Sequence, residues 1–444
     1  MQTPLGDRVR IPADVAARYS DVFTAEALTA LDALAAHDDE RRRLMRERIA
    51  RRAARASTQQ RITFLDPAAT IGRTTSTVRD AREGRFDGSE IPHDLQRQWI
   101  QGTGPATRPR ASVAVGIRNV AYALLSGADG WMFDGEDALG QVETMSLDNQ
   151  RNLALAFARR EPFLTVAAEV ADEMNAWARG FLGREIIADW RAQLDVTTRI
   201  FRPRGLHLDD RHVTHADGIP FSASIVDAAL YVANNHATLR GEGRSLVLYL
   251  PKTQTAEEAA YWHELLSALE RALGLPAACI KVYVLIEQIE ASFQLMEIRA
   301  ALGARFVGFN TGRWDYINSV SDALAWDATF VNPNIDAITM TYGYMRTYED
   351  RVRRAVNTPD RIGRFALWQG GMEPNIPVGS AAGVADGMRR AVAGATREQG
   401  AGASGKWVAH WKMVHIVRPV WEQAGAANQM GREFPRLTYD QADA

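Results

Sequence analysis

Two acidic residues, each at the end of a strand-like run, could together hold a divalent cation. Lys281–Val282–Tyr283–Val284–Leu285–Ile286 ends in Glu287. Arg305–Phe306–Val307–Gly308–Phe309 leads into a glycine-containing turn that presents Arg313, Trp314 and Asp315. The interval between the two acids fits one strand–helix–strand unit, so parallel neighbours could deliver both carboxylates to the same sheet edge. Two carboxylates and open water positions suffice for Mg²⁺ when a substrate supplies the remaining oxygens. Spacing alone also allows Asp315 to cap the next helix and Glu287 to make a surface ion pair.

The elements that would position these residues divide the chain into an N-terminal extension, a barrel and a tail. From Thr24 to Ala56, apolar residues recur at helical spacing (Ala27, Leu28, Leu31, Leu34). They give way to DDERRRLMRERIARRAARA, whose interspersed acids favour a solvated helix face over an RNA-binding run. Phe64 to Arg110, rich in Gly, Pro, Ser and Thr, reads as an irregular connector. Eight strand candidates follow: Trp131–Asp134, Thr197–Phe201, Leu246–Leu250, Val282–Ile286, Phe306–Phe309, Ala337–Met340, Phe365–Trp368 and Trp407–Ala409. Helical stretches such as Ala256–Leu273 and Gln288–Leu302 separate most of them. The pattern predicts an α/β fold, a (β/α)8 TIM barrel with an N-terminal helical extension, whose site lies at the strands' C-terminal ends. The expected boundaries are residues 1–110 for the extension and 111–421 for the barrel, with a helical insertion at about 162–195 and a polar tail at 422–444.

The residues following each strand supply the candidate site. They are Asp134, Glu136 and Asp137, then Arg202 and Arg204, Lys252, Glu287, Asp315, Gln369 and His410. Acids and arginines along one edge suit a dianionic substrate held on a divalent cation. Asp134 and Asp137 also fit helix caps, Lys252 a strand-end ion pair, and His410 a structural role, because Mg²⁺ prefers oxygen.

Composition excludes several classes. A net charge of −2 gives no electrostatic reason to expect nucleic acid or an anionic membrane as partner. The single cysteine, Cys279, excludes an internal disulfide and any cysteine-based metal cluster. The first residues carry charges where a signal peptide needs an apolar core, and no stretch approaches the about 18 apolar residues of a membrane span. A cytoplasmic protein is the expectation.

One motif carries more specific information. Gly308–Phe309–Asn310–Thr311–Gly312–Arg313–Trp314–Asp315–Tyr316 fits GxNxGxWDY, which resembles the signature of malate synthases of the shorter bacterial and plant type. FDGEDA (Phe133 to Ala138), RPRGLHLDDRHV (Arg202 to Val213), YLPK (Tyr249 to Lys252) and VLIEQIEASFQLMEI (Val284 to Ile298) resemble further segments of that family. QGGM (Gln369 to Met372) and GKWVAH (Gly405 to His410) follow in the family's order, and the similarity covers roughly residues 60 to 428. The resemblance implies a barrel enzyme of the glyoxylate cycle, condensing acetyl-CoA with glyoxylate to malate. Glu287 and Asp315 match the magnesium ligands, Arg202 the arginine that stabilises the enolate oxygen, and Glu136 and Asp137 acids near the metal. Gly312, Arg313, Trp314, Gly371 and Met372 would touch substrate, with backbone amides around Gly312–Asp315 on the glyoxylate carboxylate.

In that family the base is an aspartate on a C-terminal helical cap. Here Ala427–Asn428–Gln429 stands where the linking turn would be, and Glu422, Glu433, Asp440 and Asp443 sit in a short polar tail. The expectation is therefore a barrel lacking its cap, with the base supplied by a separate cap protein or a homo-oligomer, and an exposed apolar rim at Trp368, Met372 and Trp411. Two alternatives stay open: a lyase of β-hydroxyacyl-CoA thioesters resembling malyl-CoA and citrate lyases, acting on another acyl-CoA or 2-oxo acid, and a non-catalytic binding subunit.

Overall fold

Strands form where β-branched, aromatic and leucine side chains run on without interruption, as in LVLYL at Leu246–Leu250 and IKVYVLI at Ile280–Ile286. Such runs belong to strands covered on both faces. The computed structural model describes residues 2–5, 8–103, 112–136, 142–334, 337–435 and 437.

Eight strands close into a parallel barrel. In chain order they are β1 (Ile100–Thr103), β2 (Gly130–Asp134), β3 (Thr198–Arg202), β4 (Leu246–Leu250), β5 (Ile280–Ile286), β6 (Phe306–Thr311), β7 (Leu367–Glu373) and β8 (Gly405–Val408). Each strand pairs with its successor, and Lys406 opposite Ile100 joins β8 to β1. Side chains fill the interior: Tyr249 stacks on Tyr283 at 4.8 Å and meets Trp407 edge-on at 4.9 Å.

Two strand assignments need correction, and with them the boundary at residue 111. β1 lies within the stretch expected to be an irregular connector, so the barrel starts before residue 111. Its sequence, IQGT, has one large apolar residue. Gln101 points inward, and its Oε1 accepts from Tyr249 Oη at 3.0 Å and Trp407 Nε1 at 2.6 Å. Polar pairing replaces the apolar pattern that would have marked a strand. Conversely, Ala337–Met340 is a turn, not a strand. It inserts Ile338 and Met340 into the core between helices Arg313–Ala323 and Gly343–Asn357.

Helices pack outside the barrel and start at recognisable caps. Thr255 accepts from the Glu258 amide at the head of Ala256–Ala272, and Ser380 from Gly383 at the head of Ala381–Ala401. Helices Phe163–Leu182 and Trp190–Gln193 lie between β2 and β3.

The charged N-terminal helix, Asp38–Thr58, has the expected solvated face, with Asp39, Arg46 and Arg52 exposed, and a second face that is docked on neighbouring elements. Arg48 pairs with buried Glu258 at 2.7 Å, Arg41 with Asp209 at 2.8 Å, and Arg55 with Glu290. Several of its arginines thus meet acids of other elements, while Arg42 and Arg43 also pair with acids of the helix itself. Among the described residues, no helix is long and apolar enough to cross a membrane.

Candidate active site

β5 and β6 are neighbours, with Thr311 opposite Ile286, so the residues just past them emerge side by side. Glu287 follows β5 directly and is 1% exposed. Asp315 lies in the first turn of helix Arg313–Ala323, and its side chain is 39% exposed. Both carboxylates meet the ammonium of Lys252, which follows β4: Nζ is 2.7 Å from Asp315 Oδ2 and 3.3 Å from Glu287 Oε2. Glu136, past β2, places Oε2 3.8 Å from the same nitrogen. Three carboxylates from three strand ends thus surround one cationic point.

The close seating of Glu287 depends on glycine at 312. A Cβ there would come within 2.8 Å of Glu287 Cβ, closer than carbon atoms approach without displacement. Tyr348, on helix Gly343–Asn357, fastens the same corner: its hydroxyl accepts from the Gly312 amide at 2.9 Å and donates to the Ile286 carbonyl.

The two arginines of the RPRG segment part company. Arg202, at the end of β3, lies flat against Asp134, with Nε to Oδ1 at 2.7 Å and Nη2 to Oδ2 at 2.6 Å. Its Nη2 is also 3.7 Å from Glu136 Oε2, which links it to the carboxylate cluster. Arg204 turns away. It binds Asp227 through Nε at 2.8 Å and Nη2 at 2.6 Å, and Asp210 at 2.7 Å. One arginine faces the mouth, while the other ties the loop after β3 to helix Ala223–Gly241.

The residues expected to touch substrate are placed unevenly. The Gly312 amide is occupied by Tyr348 and by the Ile286 carbonyl at 3.1 Å, so it is not available to a ligand. The Arg313 side chain also leaves the site: Nη2 reaches the Ile338 carbonyl at 2.5 Å and the guanidinium lies over Trp314 at 4.4 Å. The amides of Arg313, Trp314 and Asp315 belong to a first helical turn, where N–H groups lack an intrahelical acceptor. Trp314 and Met372 are 42% and 40% exposed at the rim, whereas Trp368 is buried within β7, correcting its expected place there. Trp411 is partly buried, stacked on Tyr122 at 5.6 Å. Gly371 lies inside β7, its carbonyl accepting from Lys406 Nζ at 3.1 Å. His410 caps the turn after β8 by accepting from the Lys412 amide at 3.2 Å, and burial with Lys412 nearby pushes its pKa down to about 4. Asp137 lies outside the described residues.

Lys252 and Asp134 both stand in the candidate set read from the strand ends, and the ion pair that also fits Lys252 is present. Tyr348 is not in that set, and nothing in its local sequence marks it. Asp134 had a usable signal, because β2 and β3 are neighbours and Asp134 falls opposite Arg202 in the register.

Fold and site together define a (β/α)8 barrel that carries a carboxylate cluster and an acid-braced arginine at the C-terminal ends of its strands. The chain belongs to the malate synthase family. The family model described as malate synthase, TIM barrel domain, matches residues 198–437. A malate synthase of Myxococcus xanthus (strain DK1622) is 32% identical over 405 residues, covering 91% of this chain and 67% of the relative. Malate synthase A of Escherichia coli (strain K12) is 32% identical over 391 residues, covering 88% and 65%. The chain thus spans about two thirds of the length of these curated relatives. A solved malate synthase of Haloferax volcanii, in complex with magnesium and glyoxylate, is 15% identical with a TM-score of 0.44, covering 78% of this chain and 80% of the other.

Proposed function

We propose that this chain provides the catalytic barrel for a Mg²⁺-dependent condensation of acetyl-CoA with glyoxylate, giving malate and CoA. One observation carries the reading. Glu136, Glu287 and Asp315 converge on a single cationic point beside Arg202, in a chain of the malate synthase family. Hard carboxylate oxygens around a position already taken by a positive group fit Mg²⁺, with Glu287 and Asp315 as its protein ligands and Glu136 acting through water. When bound, the ion supplies Lewis-acid polarisation of the glyoxylate aldehyde.

The chain's own residues do the rest of the positioning. Asp134 fixes the plane of Arg202, which offsets the negative charge that develops on the enolate oxygen of the thioester. The first-turn amides of Arg313, Trp314 and Asp315 hold the glyoxylate carboxylate at a helix N-terminus. Trp314 and Met372 offer apolar surface at the rim to the acyl-CoA. A proton leaves the acetyl methyl for a base, the methyl carbon bonds to the aldehyde carbon, and water then hydrolyses the thioester to release CoA.

The described acids nearest Arg202 are engaged, Asp134 with the guanidinium and Glu136, Glu287 and Asp315 around Lys252. The malate synthase resemblance, in which the base is an aspartate on a C-terminal helical cap, supports a base delivered by a further polypeptide segment, in cis, from a separate cap protein or from a second copy of the chain. The test is a CoA-release assay over several pairs of acyl-CoA and 2-oxo acid, with Mg²⁺, with and without a cap-bearing polypeptide. Acetyl-CoA and glyoxylate should be the preferred pair and the cap should accelerate release. Faster cleavage of a β-hydroxyacyl-CoA than formation of malate would replace this reading with the lyase.

A further inference from the structure

Lys252 is an unusual residue to find at the centre of the carboxylate cluster. It has φ of +52°, in the left-handed region that residues with side chains seldom occupy. Backbone strain of this kind persists only where surrounding contacts fix it. Two such contacts are present. The Lys252 amide donates to Glu287 Oε1 at 2.7 Å, and its carbonyl accepts from Arg48 Nη2 at 2.9 Å. Arg48 is itself anchored on buried Glu258, so the N-terminal helix Asp38–Thr58 holds the loop after β4 from behind. The result is an ammonium aimed between Asp315, Glu287 and Glu136.

We propose that Lys252 is the built-in counter-cation of this metal site. Its ammonium holds Glu136, Glu287 and Asp315 together without a divalent ion, and binding of the ion displaces it. The inference rests on the reading of Glu287 and Asp315 as metal ligands. Its physical basis is that closely set carboxylates repel, and a cluster in which Glu136 and Glu287 are buried needs a cation. A lysine meets that need reversibly, being a compact charge on a flexible four-carbon stem. A divalent ion brings twice the charge to the same oxygens and takes precedence once bound. The ion therefore meets a site whose competent form, with the lysine withdrawn, is only part of the population, and its apparent affinity falls by that fraction.

The chain has four lysines, Lys252, Lys281, Lys406 and Lys412, so a lysine-labelled sample gives few side-chain signals. In the full-length protein carrying ¹⁵N-labelled lysine, adding Mg²⁺ should shift the Lys252 Nζ resonance. Lys281 and Lys406, bonded to Ala304 O and Glu398, should stay in place. In parallel, calorimetry without substrate should show Lys252→Met binding Mg²⁺ at least about tenfold more tightly than wild type. In EDTA the same variant should melt at a lower temperature, with the loss restored by Mg²⁺.

A Lys252 resonance indifferent to Mg²⁺, or a Lys252→Met variant that binds the ion no more tightly, overturns the counter-cation. Should the variant fail to fold, the resonance of the wild-type protein decides alone. Glu287→Gln separates the two levels of the argument. If it abolishes Mg²⁺ binding while Lys252→Met changes nothing, the metal site stands and the counter-cation falls. If wild type binds no Mg²⁺, or Glu287→Gln binds as wild type does, both fall.

Discussion

The two ends of the barrel treat charge in opposite ways. At the N-terminal end, ions are matched and closed off. Arg305, just before β6, grips Glu270 with two bonds of 2.5 and 2.7 Å, both side chains 2% exposed, and Glu270 also accepts from the amides of Ala278 and Ile280. Arg199, at the start of β3, pairs with Glu242 at 2.7 Å. At the C-terminal mouth, Asp134, Glu136, Glu287 and Asp315 gather around Arg202 and Lys252, leaving described acids in excess. The first end fastens strands to helices. The second concentrates negative charge where a divalent ion and an anionic substrate would meet, an arrangement that serves binding better than stability.

Substitutions at the two ends should therefore separate stability from chemistry. At the mouth, Glu287→Gln and Asp315→Asn should lose Mg²⁺ binding or weaken it severely in a calorimetric titration, with little change in the urea midpoint. Arg202→Lys keeps the charge but loses the planar fork, so CoA release should fall by at least about a hundredfold. Arg204→Lys should slow turnover less, because Arg204 is spent on Asp210 and Asp227. At the closed end, Arg305→Met leaves Glu270 buried without its partner and should cost about 3–5 kcal/mol in urea unfolding, while Mg²⁺ affinity stays at the wild-type value. A metal affinity that fell with Arg305, or a midpoint that collapsed with Glu287, would erase the distinction.

A smaller change tests how tightly the mouth is built. Gly312→Ala puts a methyl 2.8 Å from Glu287 Cβ, and the neighbour has little room to retreat because Lys252 N holds its carboxylate. The expected cost is about 1–3 kcal/mol of stability together with roughly tenfold weaker Mg²⁺ binding. Unchanged affinity in Gly312→Ala would mean that Glu287 tolerates displacement and that the glycine serves only the turn.

Legibility in the sequence followed the physics of each element. β4, β5 and β6 are apolar runs buried along nearly their whole length, so they stand out. β1 does not, because Gln101 binds two aromatic side chains inside the barrel and the strand needs no apolar pattern. Ala337–Met340 misleads for the converse reason, since Ile338 and Met340 are apolar to fill the core from a turn. Glu287, Asp315 and Arg202 could be singled out because each ends or closely follows a strand within a recognisable motif. The contribution of Lys252 could not, since it depends on a left-handed backbone held by Arg48 from a helix some two hundred residues earlier in the chain. That separation of 204 residues along the chain is beyond any local pattern. The same holds for Arg48 and Arg55 of Asp38–Thr58, whose partners Glu258 and Glu290 are visible only once the helix is docked.

The least dramatic prediction concerns acid. Past β8, His410 and His415 are both pushed down to about 4, chiefly by burial, with Lys412 beside the first and Arg418 beside the second. In the unfolded chain a histidine titrates near 6.5. A group with a depressed pKa in the folded state contributes stability that is fully present above the unfolded value and is lost as pH falls through the folded value. The window is therefore about pH 6.5 down to 4, with a slope of at most about 1.4 kcal/mol per pH unit for each histidine. Urea midpoints at pH 7 and pH 5 should show wild type losing stability faster than a His410→Gln/His415→Gln double variant, whose side chains do not charge. Equal losses in the two proteins would mean that the acid sensitivity lies elsewhere.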